Sequence, residues 1–193
     1  MAQALAQFRP LKRPKLLIGH SDVTALHLLW SRWGWPSVHA SCLDRLGDAR
    51  ASAQERKLLA RLLRDGKAPP LPRLRRLGGE GRPRGPMTGG NISLLAASLG
   101  SAWELDARGK TLFIEEVGER AYRVDRMLTQ LRSAGKLDGL AGVLLGDFTD
   151  CGEPDGRALW PTVLERHFAN ALYPVLAGVP AGHGTRRIPL VFG

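Results

Sequence analysis

Residues 16–30, LLIGHSDVTALHLLW, open as an apolar strand and close as an amphipathic helix, with Gly19-His20-Ser21-Asp22 at the corner. A strand that feeds a helix through so short a turn is a building unit of α/β folds. The corner also raises a chemical question. A serine here either caps the helix by accepting a first-turn N–H, or is held out toward a substrate on a nucleophile elbow. The G-x-S-x-G elbow pattern is incomplete, because Val23 stands where the second glycine would be. On local pattern alone capping is the simpler reading, and both stay open.

Working outward, the helix after the corner runs from about Thr24 to Trp33 and Gly34 ends it, while PSVHASCL offers a second strand. SAQERKLLARLLRDG reads as a helix. Ser52 and Glu55 have capping-box spacing, Leu58, Leu59, Leu62 and Leu63 form one stripe, and Gly66 stops it. The next stretch, RDGKAPPLPRLRRLGGEGRPRGP, has the proline and glycine content of an exposed connector. Beyond it, GGNISLLAASLG starts a helix with Asn91 as N-cap, and KTLFIEEV is a strand. RAYRVDRMLTQLRSAG is a helix with Val124, Met127, Leu128 and Leu131 on one face. LAGVLLGDF is a buried strand, PTVLERHFANAL a helix with Pro161 in its first turn, and PVLAGV a further strand. Strands alternating with helices give an α/β architecture. The expected organisation is a first part over 1–66 that holds the serine corner, a linker over 67–86 and a second α/β unit over 87–193.

Composition limits the function classes. The 193 residues, 44% of them hydrophobic, suffice for a buried core. No run approaches the roughly 18 apolar residues of a membrane span. The first fifteen residues lack the apolar core of a secretory signal, so a cytoplasmic location is expected. Cys42 and Cys151 have no paired spacing, which favours free thiols. The net charge of +10 lies wholly in the first 86 residues, with +5 over 1–60, +6 over 61–86 and −1 over 87–193. The basic connector has no aromatic residue to stack on bases, so a solvated linker is favoured over nucleic-acid binding.

A serine is a poor nucleophile until a base takes its proton, and the base needs an acid to orient it. The apolar strand in LFIEEVGERAYRVDRMLTQL ends in Glu115 and Glu116. Successive strand residues face opposite ways, so at most one of the two points into a given site. His183 follows a strand in GVPAGHGTRRIPL, flanked by glycines that leave its loop bare. Alone, each could be an ordinary strand-end charge or turn residue. The order Ser, Glu, His is one known order for a triad. His20 and His27 are seven apart, but no carboxylate or cysteine completes a metal ligand set. Trp30, Trp33 and Trp35 are read as core packing.

Four blocks, PKLLIGHSDVTALH, GGNISLLAASLG, LFIEEVGERAYRVDRMLTQLRSAG and VPAGHG, together resemble the LD-carboxypeptidase family of serine peptidases. That family includes murein tetrapeptide carboxypeptidases and microcin C immunity peptidases. The resemblance implies a parallel-sheet, Rossmann- or flavodoxin-like N-terminal domain carrying the nucleophile, present here as a remnant. It implies a C-terminal α/β domain carrying acid and base, with the site between the two. Carried onto this sequence, Ser21 is the nucleophile, Glu115 orients the base and His183 is the general base. The Asp22 N–H is placed to face an oxyanion. Asn91 and Arg123 are candidate substrate contacts, with a solvated helix face the plainer reading of Arg123.

The implied reaction releases terminal D-alanine from a murein tetrapeptide in cell-wall recycling, with no metal or other cofactor. The implied partner is a murein-derived peptide, without nucleic acid or membrane, and a homodimer is a candidate assembly. Family members are longer, with several strands before the corner and a glycine-rich turn beside the nucleophile. Only about fifteen residues precede the strand here, and the chain stops inside the strand-like IPLVFG, so an incomplete chain is expected. The alternatives are a silent muropeptide- or partner-binding remnant and a microcin-type immunity peptidase.

Overall fold

Strands that are apolar on both faces need cover on both sides. The computed structural model, which describes residues 2–7, 10, 12–48 and 50–193, shows that cover as helices on one face and a second sheet on the other. The larger sheet has five strands: β3 (Arg75–Gly78), β4 (Met87–Asn91), β5 (Thr111–Val117), β6 (Gly142–Thr149) and β7 (Val175–Ala177). Their order is β3-β7-β6-β5-β4. The last four run parallel, joined through α5 (Ile92–Ala97), α6 (Ala121–Ser133) and α7 (Trp160–Phe168), and β3 pairs antiparallel with β7 at one edge. This is the expected α/β class.

Side-chain alternation assigns each strand to two cores at once. Leu112, Ile114, Val143 and Leu145 pack under the helices with Val124, Leu128, Leu131 and Phe168. Phe113 and Leu144 face the other way, against Leu190 and Phe192. Those two belong to β8 (Leu190–Phe192), which lies antiparallel on β2 (Ser37–His39), itself parallel to β1 (Leu17–Gly19). Among the described residues β8 therefore shares a three-stranded sheet with β1 and β2. A single 3₁₀ turn over Ser21–Val23 leads from β1 into α2 (Thr24–Arg32). Short helices α1 (Ala2–Leu5) and α3 (Leu43–Leu46) precede and follow these strands, and α4 (Ala53–Asp65) packs Leu59 and Leu62 onto Val38.

The helix signals translate into structure almost residue for residue. Ser52 caps α4 through the Glu55 N–H at 3.1 Å, and Gly66 ends it at φ +66°, a left-handed conformation that suits glycine. The box closes on one side only, because the Glu55 carboxylate turns to Ser41 and Arg45 instead of the cap. Among the described residues β1 pairs on one edge alone, beside an apolar groove of about 410 Å3 where Leu16, Leu43 and Leu63 are exposed.

Two elements differ from expectation. The stretch read as a linker over 67–86 holds strand β3, whose Arg75 and Arg76 point to solvent. Exposed charge is a usual protection for a sheet edge, so composition that signals a connector also suits this strand. The sequence MTGGN gives no apolar alternation, yet it is β4, because its glycines let strands approach closely. A Cβ on Gly89, at φ +130°, would run into the Phe113 carbonyl. Cys42 and Cys151 are free thiols.

Candidate active site

Ser21 sits in the corner at φ +60°, in the left-handed region that L side chains avoid. It caps nothing. His20 occupies the N-cap of the tight turn and Val23 that of α2, and neither position has a side-chain cap. A strained, non-capping serine at a strand-to-helix corner is the geometry of a nucleophile elbow. The missing second glycine is accommodated by its partner. A Cβ on Gly19 would lie 2.7 Å from the Val23 side chain, so Val23 packs directly over the bare backbone of Gly19.

Polar ties hold the corner against both sheets. His27 on α2 is buried and bridges β1 and β2, through the Gly19 carbonyl at 3.0 Å and Ser37 Oγ at 2.8 Å. Burial lowers its pKa to about 4, so it is a neutral structural group and its nitrogens are taken. Among the described residues no cluster of three His, Cys, Asp or Glu is placed to bind a metal ion. Thr24, the first residue of α2, accepts the Asn91 N–H at 3.0 Å and so ties the helix to β4. Trp30, Trp33 and Trp35 pack on one another with ring centroids 5.1–5.6 Å apart.

The adjacent carboxylates divide as strand alternation requires. Glu115 is fully buried and its Oε2 accepts the His183 Nδ1–H at 2.7 Å. Glu116 faces the start of α5, where it accepts from Asn91 Nδ2 at 2.9 Å, Ser93 Oγ at 2.6 Å and the Val117 N–H at 2.7 Å. With Nδ1 turned to Glu115, Nε2 lies on the other edge of the His183 ring. The ring lies 4.9 Å from that of His20, the residue before Ser21. The His183 loop therefore lies against the corner that carries Ser21, and among the described residues the hydrogen bond recorded is the one between Glu115 and His183.

The glycines around His183 have a definite cause. A Cβ on Gly182, at φ +125°, would lie 2.8 Å from Glu115 Oε2, and one on Gly184 would lie 2.5 Å from Asp147 Oδ2. The loop is bare because two carboxylates occupy the space. Asp147 reaches it through an irregularity in the β5–β6 ladder between Ile114 and Glu116, a device that re-aims side chains. It accepts the Gly184 N–H at 3.1 Å, and burial raises its pKa above the usual carboxylate value. Neither Asp147 nor Arg187, which donates to this loop from the other side, was singled out by sequence reasoning. Their roles depend on contacts that no local pattern announces.

Of the two candidate substrate contacts, Asn91 lies opposite Glu115 in the β4–β5 ladder and Arg123 lies on α6. Asn91 is buried, with its Oδ1 capping α5 at Leu94 and its amide on Glu116, so its polar atoms serve the fold. Arg123 is exposed on α6, paired with Glu119 and Tyr122. A cavity of about 940 Å3 lies between α6 and α7 around Arg132, His167 and Tyr173, apart from Ser21, Glu115 and His183. No helix is long and apolar enough to cross a membrane among the described residues.

The α/β chain thus carries a corner serine at φ +60° and a buried carboxylate hydrogen-bonded to a part-buried imidazole. The family model for the LD-carboxypeptidase C-terminal domain matches residues 84–193. A murein tetrapeptide carboxypeptidase of Pseudomonas aeruginosa is 32% identical over 189 residues, covering 93% of this chain and 61% of that protein. A Bacillus subtilis protein named probable murein peptide carboxypeptidase is 34% identical over 192 residues, covering 94% of this chain and 59% of its own. The crystal structure of muramoyltetrapeptide carboxypeptidase from Oxalobacter formigenes superposes with a TM-score of 0.75 at 26% identity, covering 93% of this chain and 63% of that one. An MccF-like protein from Streptococcus pneumoniae shares the fold, with a TM-score of 0.78 at 19% identity over 94% of this chain and 66% of that one. This chain belongs to the LD-carboxypeptidase family. It spans about three fifths of the length of the relatives it matches.

Proposed function

We propose that the protein is a serine LD-carboxypeptidase that removes the terminal D-alanine from murein tetrapeptides, with Ser21, Glu115 and His183 as its triad. The observation that carries the reading is the 2.7 Å hydrogen bond from His183 to a fully buried Glu115, beside a serine held at φ +60°. In the proposed reaction Ser21 Oγ attacks the carbonyl carbon of the scissile amide while His183 Nε2 takes its proton. The oxyanion that forms is met by the Asp22 N–H, in the first turn where such groups have no intrahelical partner. His183 then hands the proton to the leaving amine. D-alanine departs, and a water activated by the same imidazole releases the acyl group from Ser21. Glu115 fixes the imidazole tautomer throughout. The step calls on no metal ion, and a murein-derived peptide in the cytoplasm is the proposed substrate.

A serine-directed phosphonate tests the nucleophile without needing the natural substrate. Peptide mapping of the labelled protein is expected to find the adduct on Ser21. Labelling should be lost in Ser21→Ala, slowed in His183→Ala and insensitive to EDTA. An adduct on another serine, or equal labelling of the Ser21→Ala variant, overturns the assignment.

A further inference from the structure

Arg187 lies four residues beyond the proposed base and reaches both halves of the site. Its Nε donates to the Gly184 carbonyl at 2.9 Å and its Nη2 to the His183 carbonyl at 3.1 Å. Its Nη1 meets His20 Nε2 at 2.8 Å and Ser41 Oγ at 3.4 Å. His20 is the residue before the nucleophile. Ser41 in turn donates to Glu55, which also holds Arg45 at 3.3 Å. One guanidinium thus joins the base-bearing loop, the nucleophile corner and the first turn of α4. We propose that Arg187 is a positioning residue that clamps the His183 loop to the Ser21 corner, acting through a neutral His20.

The chemistry of the donors sets the state of His20. A guanidinium has five N–H donors, no acceptor, and stays charged. His20 Nε2 must therefore offer a lone pair, which puts its proton on Nδ1, facing Cys42 Sγ at 3.5 Å. A protonated His20 would set an N–H against an N–H and a cation against a cation. The groups around His20 act the same way. Arg187, His183 and Arg45 disfavour a charged imidazole, and Asp44 favours one. Burial is the largest cause, and together these hold the pKa near 4.

The clamp explains how the loop is fixed from two sides. Asp147 takes the Gly184 N–H while Arg187 takes the carbonyls of His183 and Gly184. The backbone around the imidazole is held, and Glu115 sets the ring. Proton transfer from a serine tolerates errors of only about half an ångström, so a link that spans from residue 20 to residue 187 has a use that stability alone does not require.

The proposal rests on the serine-peptidase reading for its purpose, but its test does not. Nitrogen NMR of the imidazoles in the full chain reads tautomer and titration directly. In the unaltered protein, His20 is expected as the Nδ1–H tautomer and neutral at pH 6. In Arg187→Met, loss of the donor and its charge should raise the His20 pKa by about one unit or more. The hydrogen-bonded Nδ1 proton of His183 should also exchange faster. Arg187→Lys, which keeps a charge and one donor but loses the fork, should fall between. In turnover, Arg187→Met should lower kcat by about 10- to 100-fold, the scale of a small misplacement, with KM within a few-fold. An Nε2–H tautomer for His20 in the unaltered protein overturns the clamp, even where Arg187→Met does not fold. So does an Arg187→Met protein whose thermal midpoint falls while His20 titration and His183 exchange stay unchanged. Turnover that is indifferent to Ser21→Ala would count against the peptidase reading instead, and the NMR result would still decide the clamp.

Discussion

Glu115 and Glu116 are neighbours that do different things, because a strand turns successive side chains to opposite faces. Glu115 accepts the His183 Nδ1–H, and Glu116 gathers Asn91 and Ser93 at the start of α5 together with the N–H of Val117, the next residue on its own strand. Their isosteric variants should separate function from stability. Glu115→Gln is expected to lower turnover by about 10³ to 10⁴, the cost of an imidazole in the wrong tautomer. Glu116→Gln leaves the triad intact but weakens several charge-assisted bonds, and should cost about 1–3 kcal/mol in denaturant unfolding. The reverse pattern would exchange the two roles. Gly184→Ala should lose both stability and turnover, since its methyl group would sit 2.5 Å from Asp147 Oδ2. Normal turnover in that variant would show that the loop does not need its bare backbone. Ser21, Glu115 and His183 were singled out in the sequence because each stands in a local pattern, and the structure adds the hydrogen bond that joins the last two. His20, Asp147 and Arg187 were not, since what they do follows from contacts across the chain.

Among elements, amphipathic helices were read best. In α4 and α6 the buried face, the stop and the register all follow from apolar spacing, which is local. Strands β3 and β4 were not read, one hidden in arginines and prolines and the other in glycines, because pairing partners decided them. The capping role of Ser21 also failed, for the turn places other residues at the caps. The tie between α2 and β4 is a test at this scale. Thr24→Val keeps the shape but leaves the buried Asn91 N–H without its acceptor. An unpaired buried donor costs about 1–3 kcal/mol, so the urea midpoint should drop. An unchanged midpoint would mean that α2 is held by its apolar contacts alone.

For the molecule as a whole, the basic excess and the α/β class were plain in composition and periodicity, whereas the return of β8 onto β2 was not, because it joins opposite ends of the chain. That return encloses His27 and His39 between the sheets, beside Phe192. Burial holds His27 near pKa 4 and His39 well below 6.5, so both are neutral when folded. An unfolded histidine takes up its proton near pH 6.5. The stability this provides is full above pH 6.5 and is lost as pH falls from 6.5 toward about 4 for His27. The slope is about 1.4 kcal/mol per pH unit for each such histidine. Urea midpoints should therefore decline between pH 7 and pH 5, and a flat profile would show that the histidines are not buried neutral. The central claim is that Ser21 and His183 act as one unit, and D-alanine release from a murein tetrapeptide measures it most directly. The account predicts that Ser21→Ala and His183→Ala each lose most of the turnover, and that the double variant is little worse than either, because members of a triad are non-additive. Near-normal release by Ser21→Ala, or single losses that multiply in the double variant, would contradict it.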